Sequence, residues 1–169
     1  MQAPDKTWSA PQLSADTELT LLQKIFLSTD GTLTDLLMLY CGQPIQARKL
    51  GQHLIDKGLD GKILHREVIL ETVHQPYVYA ESQFMFDRFS SSLQRQLIET
   101  QIPIGLLWQR ERLEMYREII ERKSSRNHEI ATLLQVPIDT LIFSRTYRIH
   151  HGGSQIGEIT ENFASTIIR

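Results

Sequence analysis

Hydrophobic and polar residues alternate along "KILHREVILETV", residues 62 to 73, the period-two signature of a β-strand. Leu64, Arg66, Val68 and Leu70 then share one face, and Ile63, His65, Glu67, Ile69 and Glu71 share the other. A second run, "YVYAESQFMF" (77 to 86), follows across a short turn at "HQP", which predicts an antiparallel hairpin. "IQARKLGQHLI" (45 to 55) predicts a strand ahead of this pair, separated from it by the turn-rich "DKGLDGK". The strongest hairpin signal is "TLIFSRTYRIHHGGSQIGEITENFAS" (140 to 165), two β-rich runs joined at Gly152-Gly153.

Between and before these strands the apolar spacing changes to three and four. Leu19, Leu21, Leu22, Ile25 and Phe26 form a helical stripe, with Ser14 or Asp16 available as its cap. "STDGT" (28 to 32) reads as a turn, after which Thr32 caps a helix through "LTDLLMLYC", ended by Gly42 and Pro44. "DRFSSSLQRQLIET" (87 to 100) reads as a helix capped by Asp87, followed by a loop at "QIPIG". "LLWQRERLEMYREIIERK" (106 to 123) fits two templates: a helix through Leu113, Tyr116, Ile119 and Ile120, or a strand around "MYREII". "NHEIATLLQ" predicts a short helix. Runs of strands with helices before and between them indicate an α+β fold, an antiparallel sheet flanked by helices. Residues 1 to 15, with Pro4 and Pro11 and little periodicity, read as a loose arm, and 16 to 169 as a single domain.

Composition narrows the function classes. The chain has 169 residues, 41% hydrophobic and 22% charged, with a formal net charge of -2. That charge, without a long basic run, gives non-specific nucleic-acid binding no electrostatic support; a local patch around Arg110, Arg112 and Arg117 remains. One cysteine, Cys41, rules out a disulfide framework and a cysteine-built metal site within one chain, and reads as a small buried apolar residue. The first eighteen residues lack the apolar stretch of a signal peptide. No apolar run reaches the ~18 residues of a membrane span, and a reducing cytoplasm is the expected compartment.

The informative departures are charges on apolar faces. Arg66 lies between Leu64 and Val68. In the last strand Glu161 lies between Ile159 and Phe163, while Glu158 shares the polar face with Thr160. In the strand before it Arg145 shares a face with Leu141, Phe143, Tyr147 and Ile149. A buried unpaired charge is very costly, so each needs a partner. Either arginine can pair with Glu161 in a structural bridge, or an edge position can leave the charges wet. A third arrangement is a polar site in an apolar cavity. There an arginine fork binds a carboxylate and a desolvated glutamate handles a proton, a pocket for a small organic acid. Other groupings point less clearly to chemistry. His150 and His151 are adjacent on a strand and face opposite ways, His65 faces away from Arg66, and "GGSQIG" has no following helix to hold a phosphate. Tyr77, Tyr79, Phe84 and Phe86 read as core, and no Gly-x-Ser-x-Gly elbow is present.

Four segments, in order from about residue 20 to the end, resemble the chorismate lyase family. They are "TDGTLT" (29 to 34), "LHREVIL" (64 to 70), "IPIGLLW" (102 to 108) and "RTYRIHHGGSQIGEITENF" (145 to 163). The similarity is greatest to the shorter branch with cyanobacterial and mycobacterial members. The resemblance implies a highly twisted antiparallel sheet with flanking helices, and a ligand enclosed behind helical flaps. It implies a reaction without metal or organic cofactor, in which chorismate loses pyruvate and becomes 4-hydroxybenzoate, for quinone (plastoquinone) or phenolic-lipid synthesis. Arg66 falls on the family's arginine for the ring carboxylate, and Glu161 on its active-site glutamate. Leu33 and Thr34, with Ile104 and Gly105, fall on the two pocket walls, and Arg145 lies close to a family arginine, with the second carboxylate as its expected contact. The sequence departs from the family where Ala164-Ser165 replace Leu-Pro after Glu-x-Phe, where His65 precedes Arg66, and in an extra loop and helix at 123 to 138.

The main alternative shares the fold. Effector-binding domains of some transcription regulators resemble chorismate lyase and bind small ligands without turning them over. Those usually follow a winged-helix DNA-binding domain, and here about 40 residues with no basic recognition helix precede the first strand. The expected partner is therefore the small molecule chorismate, without nucleic acid and without membrane insertion. A purely structural domain with internal Arg-Glu pairing is the remaining reading.

Overall fold

The computed structural model describes residues 18–169, so the loose arm expected at 1 to 15 lies outside the described residues. Among the described residues, six antiparallel strands form one sheet in the order β1-β2-β3-β6-β5-β4. They are β1 (Gln46–Asp56), β2 (Lys62–Glu71), β3 (Pro76–Met85), β4 (Tyr116–Arg126), β5 (Leu141–His151) and β6 (Ser154–Ala164). Five α-helices accompany them: α1 (Leu21–Ser28), α2 (Leu33–Cys41), α3 (Ser91–Glu99), α4 (Ile104–Arg110) and α5 (His128–Leu133). This is the expected α+β arrangement.

Several boundaries differ from the sequence expectation, each for a local reason. The cap of α1 is Thr20, which accepts from the Gln23 N–H while the Gln23 side chain accepts from the Thr20 N–H, a complete capping box. The cap of α3 is Ser90; Asp87 sits in a 3-10 turn and its carboxylate accepts from the Lys62 N–H at 2.8 Å. "QIPIG" is only partly loop, because α4 begins at Ile104. The ambiguous segment resolves into α4 and then strand β4. Cys41 is half-buried at the end of α2.

Cross-strand register fixes which residues share a face. Arg66, Ser82, Ile159, Tyr147 and Ile119 stand opposite one another in one row from β2 to β4. Val68, Ala80, Glu161, Arg145 and Arg122 form the next row on the same face. Phe26, Leu33, Leu37, Leu93, Leu107 and Trp108 of the helices join sheet residues Leu64, Phe84, Phe143 and Phe163 in one buried cluster. Phe26 meets Phe163 edge-on with ring centroids 5.7 Å apart, and Trp108 meets Phe84 at 6.3 Å. The chain end ties the helices down: Gln23 Nε2 donates to the Ser165 and Ile168 carbonyls, and Tyr40 OH donates to Ile167 O at 2.7 Å. No helix among the described residues is long and apolar enough to cross a membrane.

Candidate active site

The inner sheet face and the helices above it enclose a small cavity of about 40 Å³. Its floor is Val68, Ala80, Ser82 and Ile159, and its roof is Thr32, Leu33 and Thr34 before and in α2, with Pro103, Ile104, Gly105 and Trp108 at α4. Arg66, Glu161, Tyr147 and Arg117 supply the remaining polar wall. Six sequence-predicted residues therefore meet at one cavity: Arg66, Glu161, Leu33, Thr34, Ile104 and Gly105.

Arg66 and Glu161 stand in adjacent rows on β2 and β6, with β3 between them. Strand spacing and rise place their Cα atoms roughly 12 Å apart along the sheet. The β3 residues across that gap are Ala80 and Ser82, both small, so the floor between the two charges stays open for a planar group.

The two charges differ in their surroundings. Arg66 is 4% exposed, and its Nε and Nη2 have no hydrogen-bond partner. Burial lowers its guanidinium from the ordinary arginine range to about 10. Half-buried Lys49 lies near enough to feel it: burial first, and the Arg66 charge second, lower the Lys49 ammonium. Glu161 is held on both oxygens. Oε2 accepts from Arg145 Nε at 2.7 Å, and Oε1 accepts from Tyr147 OH at 3.0 Å. An ionised carboxylate offers about four lone-pair sites, so each oxygen keeps capacity for a further donor. Burial, and then the Glu161 charge, push the Tyr147 phenol well up, so it stays a proton donor to the carboxylate.

Arg145 is not part of the cavity lining. It is 1% exposed behind Glu161, and its Nη1 donates to the Thr29 carbonyl at 2.6 Å. Burial alone lowers its guanidinium, but Glu161 and Tyr147 outweigh burial and raise it. Of the two arginines that could pair with Glu161, the structural partner is Arg145, and Arg66 is left with a free fork.

Sequence reasoning missed Arg117 and Trp108 as cavity residues. The sequence groups Arg117 with Arg110 and Arg112 in a local patch, yet β4 turns it inward, where Nη1 donates to Asp30 O at 3.0 Å and Nη2 to Thr32 Oγ1 at 3.3 Å. Strand parity through Met115, Arg117 and Ile119 was the available signal. A second depression is lined by His53, His65, Glu67, Glu81 and Glu158 and shares Arg66 and Ser82 with the cavity; its carboxylates suit an anion poorly. His150 approaches Glu118 at 3.3 Å and His151 contacts Glu114 O. Among the described residues no group of three or more His, Cys, Asp or Glu is placed to hold a metal ion.

Gly105 fixes how closely α4 approaches the loop before α2. A Cβ built on it would collide with Thr32 Cγ2. Gly105→Ala is expected to force the two cavity walls apart and to destabilise the fold by about 1–3 kcal/mol, the usual penalty of overpacking. A denaturant midpoint unchanged from the parent would show that the walls move freely.

A family model described as Chorismate pyruvate-lyase Rv2949c-like matches residues 27–169. "Putative lyase MJ0807" of Methanocaldococcus jannaschii is 31% identical over 150 residues, covering 84% of this chain and 77% of that protein. The crystal structure of PhnF from Mycobacterium smegmatis superposes with a TM-score of 0.62 at 11% identity, over 85% of this chain and 67% of that one. Its effector domain gives 0.60 at 12% identity, over 81% and 90%. The C-terminal domain of the histidine utilization repressor from Pseudomonas syringae pv. tomato gives 0.55 at 12%, over 74% and 94%. At these identities the solved structures speak to the fold, which is shared with regulator effector domains.

Proposed function

Since the chain belongs to the Chorismate pyruvate-lyase Rv2949c-like family, we propose that it eliminates pyruvate from chorismate to give 4-hydroxybenzoate. The observation that carries this reading is the free guanidinium of Arg66, buried without a partner in a cavity whose far polar wall is Glu161. A buried arginine with unused N–H donors calls for an anion, and a carboxylate fits its fork. In this reading Arg66 takes the ring carboxylate, the ring lies over Ala80 and Ser82, and its hydroxyl end meets Glu161. Leu33, Thr34, Ile104 and Gly105 wall the ring and exclude water, which strengthens both polar contacts.

The chemistry balances without a co-reactant. The ring carbon bearing the hydroxyl loses its hydrogen as a proton, that C–H pair becomes ring π density, and the allylic ether C–O bond breaks. The enolpyruvate that leaves takes up one proton on its methylene carbon and becomes pyruvate. Aromatisation supplies much of the driving force. Glu161 is the proposed group for handling the ring proton, and Arg66 is the positioning contact; orientation of this kind lowers a barrier by several kcal/mol. The reading assigns the reaction to the cytoplasm, as a supply of 4-hydroxybenzoate for quinone or phenolic-lipid synthesis.

The test is turnover. Purified protein and chorismate, with no added cofactor, are expected to yield 4-hydroxybenzoate and pyruvate in equal amounts by chromatography. A folded sample that forms neither product, yet melts at a higher temperature with either acid, is a binding domain on the same fold. Neither product nor shift returns the cavity to a structural role.

A further inference from the structure

Arg66 and Glu161 occupy one part of the cavity; its mouth carries two more polar groups that they leave unused. Trp108 is 3% exposed, lines the cavity, and its indole Nε1 has no hydrogen-bond partner. Arg117 donates both Nη groups to the Asp30–Thr32 loop, while its Nε is buried and unpartnered. The two side chains stack, with the Arg117 guanidinium carbon 5.4 Å from the Trp108 ring centroid. Together with Thr32 and Gly105 they line both the enclosed cavity and the open depression beside it. They therefore stand where the cavity meets solvent.

An indole N–H and a guanidinium can only donate. Two unpartnered donors on one stretch of cavity wall, one of them cationic, favour an anionic acceptor. Charge counting sharpens the choice. Arg145 is neutralised by Glu161. Arg66 and Arg117 have no carboxylate within ion-pair distance among the described residues, so the cavity holds two unmatched positive charges. Their strands, β2 and β4, are four strand spacings apart, roughly 19 Å along the sheet, and both residues line the cavity that lies over that span. A monocarboxylate leaves one charge unmatched; a dicarboxylate of one ring and a short arm matches both.

We infer that Arg117 and Trp108 bind the second carboxylate, on the enolpyruvyl arm, at the mouth of the cavity. The contact distinguishes the dicarboxylate substrate from the aromatic monocarboxylate product, which retains Arg66 and Glu161 but has nothing to give Arg117. Arg145, the residue expected from sequence for this role, is already engaged by Glu161 and Thr29. The inference rests on the lyase reading.

The experiment compares chorismate kinetics with inhibition by 4-hydroxybenzoate. Arg117→Gln is expected to raise KM for chorismate by roughly 10- to 100-fold, the loss of a charge-assisted contact, and to leave the inhibition constant of 4-hydroxybenzoate nearly unchanged. Trp108→Phe keeps a ring beneath the guanidinium and removes the donor together with part of the indole's volume; it is expected to show the same selective loss at smaller size. Equal weakening of both acids in the two variants would mean that Arg117 merely holds the Asp30–Thr32 loop, and would overturn the inference. So would an unchanged chorismate KM in both. A parent protein that turns over chorismate while either of these results holds keeps its lyase reading. A folded parent that neither binds nor converts chorismate overturns both readings.

Discussion

Arg66→Met sharply lowers kcat/KM while leaving the fold at least as stable as the parent: that is the expected result, and the two halves have one cause. Arg66 is 4% exposed, with two guanidinium nitrogens unpartnered. Burial lowers its pKa to about 10, a departure from the free guanidinium worth roughly 3 kcal/mol against the charged form. The sign follows from proton counting. Below pH about 10 the guanidinium is charged in both folded and unfolded chains, so the full penalty is present. As pH rises above about 10 the unfolded chain binds more protons than the folded one, and the penalty is relieved. Methionine has similar reach and no charge, so it removes the penalty and keeps most of the packing. The same change deletes the proposed carboxylate contact. Truncating one partner of a buried charged pair costs roughly 2–5 kcal/mol, which is roughly 30- to 5,000-fold in kcat/KM. Denaturant unfolding and steady-state kinetics on one preparation check both halves. In addition, 4-hydroxybenzoate should raise the melting temperature of the parent and not of the variant. A variant destabilised by several kcal/mol that still turns over chorismate would make Arg66 a structural residue.

The faces of the strands were legible because parity depends on nothing beyond the sequence. Leu64-x-Arg66-x-Val68 and Ile159-x-Glu161-x-Phe163 each place a charge among core residues whatever the neighbouring strand does. The partner of Glu161 was not legible, because it depends on register. At the turn, His151 faces Ser154 and His150 faces Gln155. Continued without interruption, that register would set Arg145 opposite Thr160. A bulge between Ile149 and His150 shifts it by one, so Arg145 meets Glu161 instead. A one-residue slip exchanges the two sheet faces, and no residue type in "RIHHGGSQIG" announces it. A second bulge explains the ambiguity of the 106 to 123 segment. β4 pairs Ile119 with Tyr147 and Glu121 with Thr146, leaving Ile120 as the extra residue. Leu113, Tyr116, Ile119 and Ile120 then mimic helical spacing although the chain is extended. With that strand unread, Arg117 had no face, and the mouth of the cavity lost its arginine.

Glu161→Gln is the variant in which stability and activity should fall together, and a second substitution should separate them. Glu161 accepts from Arg145 at 2.7 Å and from Tyr147 at 3.0 Å, and Arg145 is 1% exposed. Glutamine keeps the shape and one acceptor but leaves the Arg145 charge buried without a counter-ion. Breaking a buried pair in this way costs about 3–5 kcal/mol. Loss of the proposed proton-handling group should lower kcat by roughly 10²- to 10⁴-fold. Adding Arg145→Met removes the orphaned charge at the price of the bond to the Thr29 carbonyl, worth about 1 kcal/mol. The double variant should therefore recover most of the lost stability and none of the lost turnover. Recovery of both in the double variant would mean that the carboxylate serves the fold and that another group moves the proton. A single variant as stable as the parent would mean that Arg145 is hydrated through a path the packing around Thr29 and Tyr147 does not suggest. Stability restored without activity leaves one assignment: Arg145 and Tyr147 hold Glu161 in place, and Glu161 acts on what Arg66 holds.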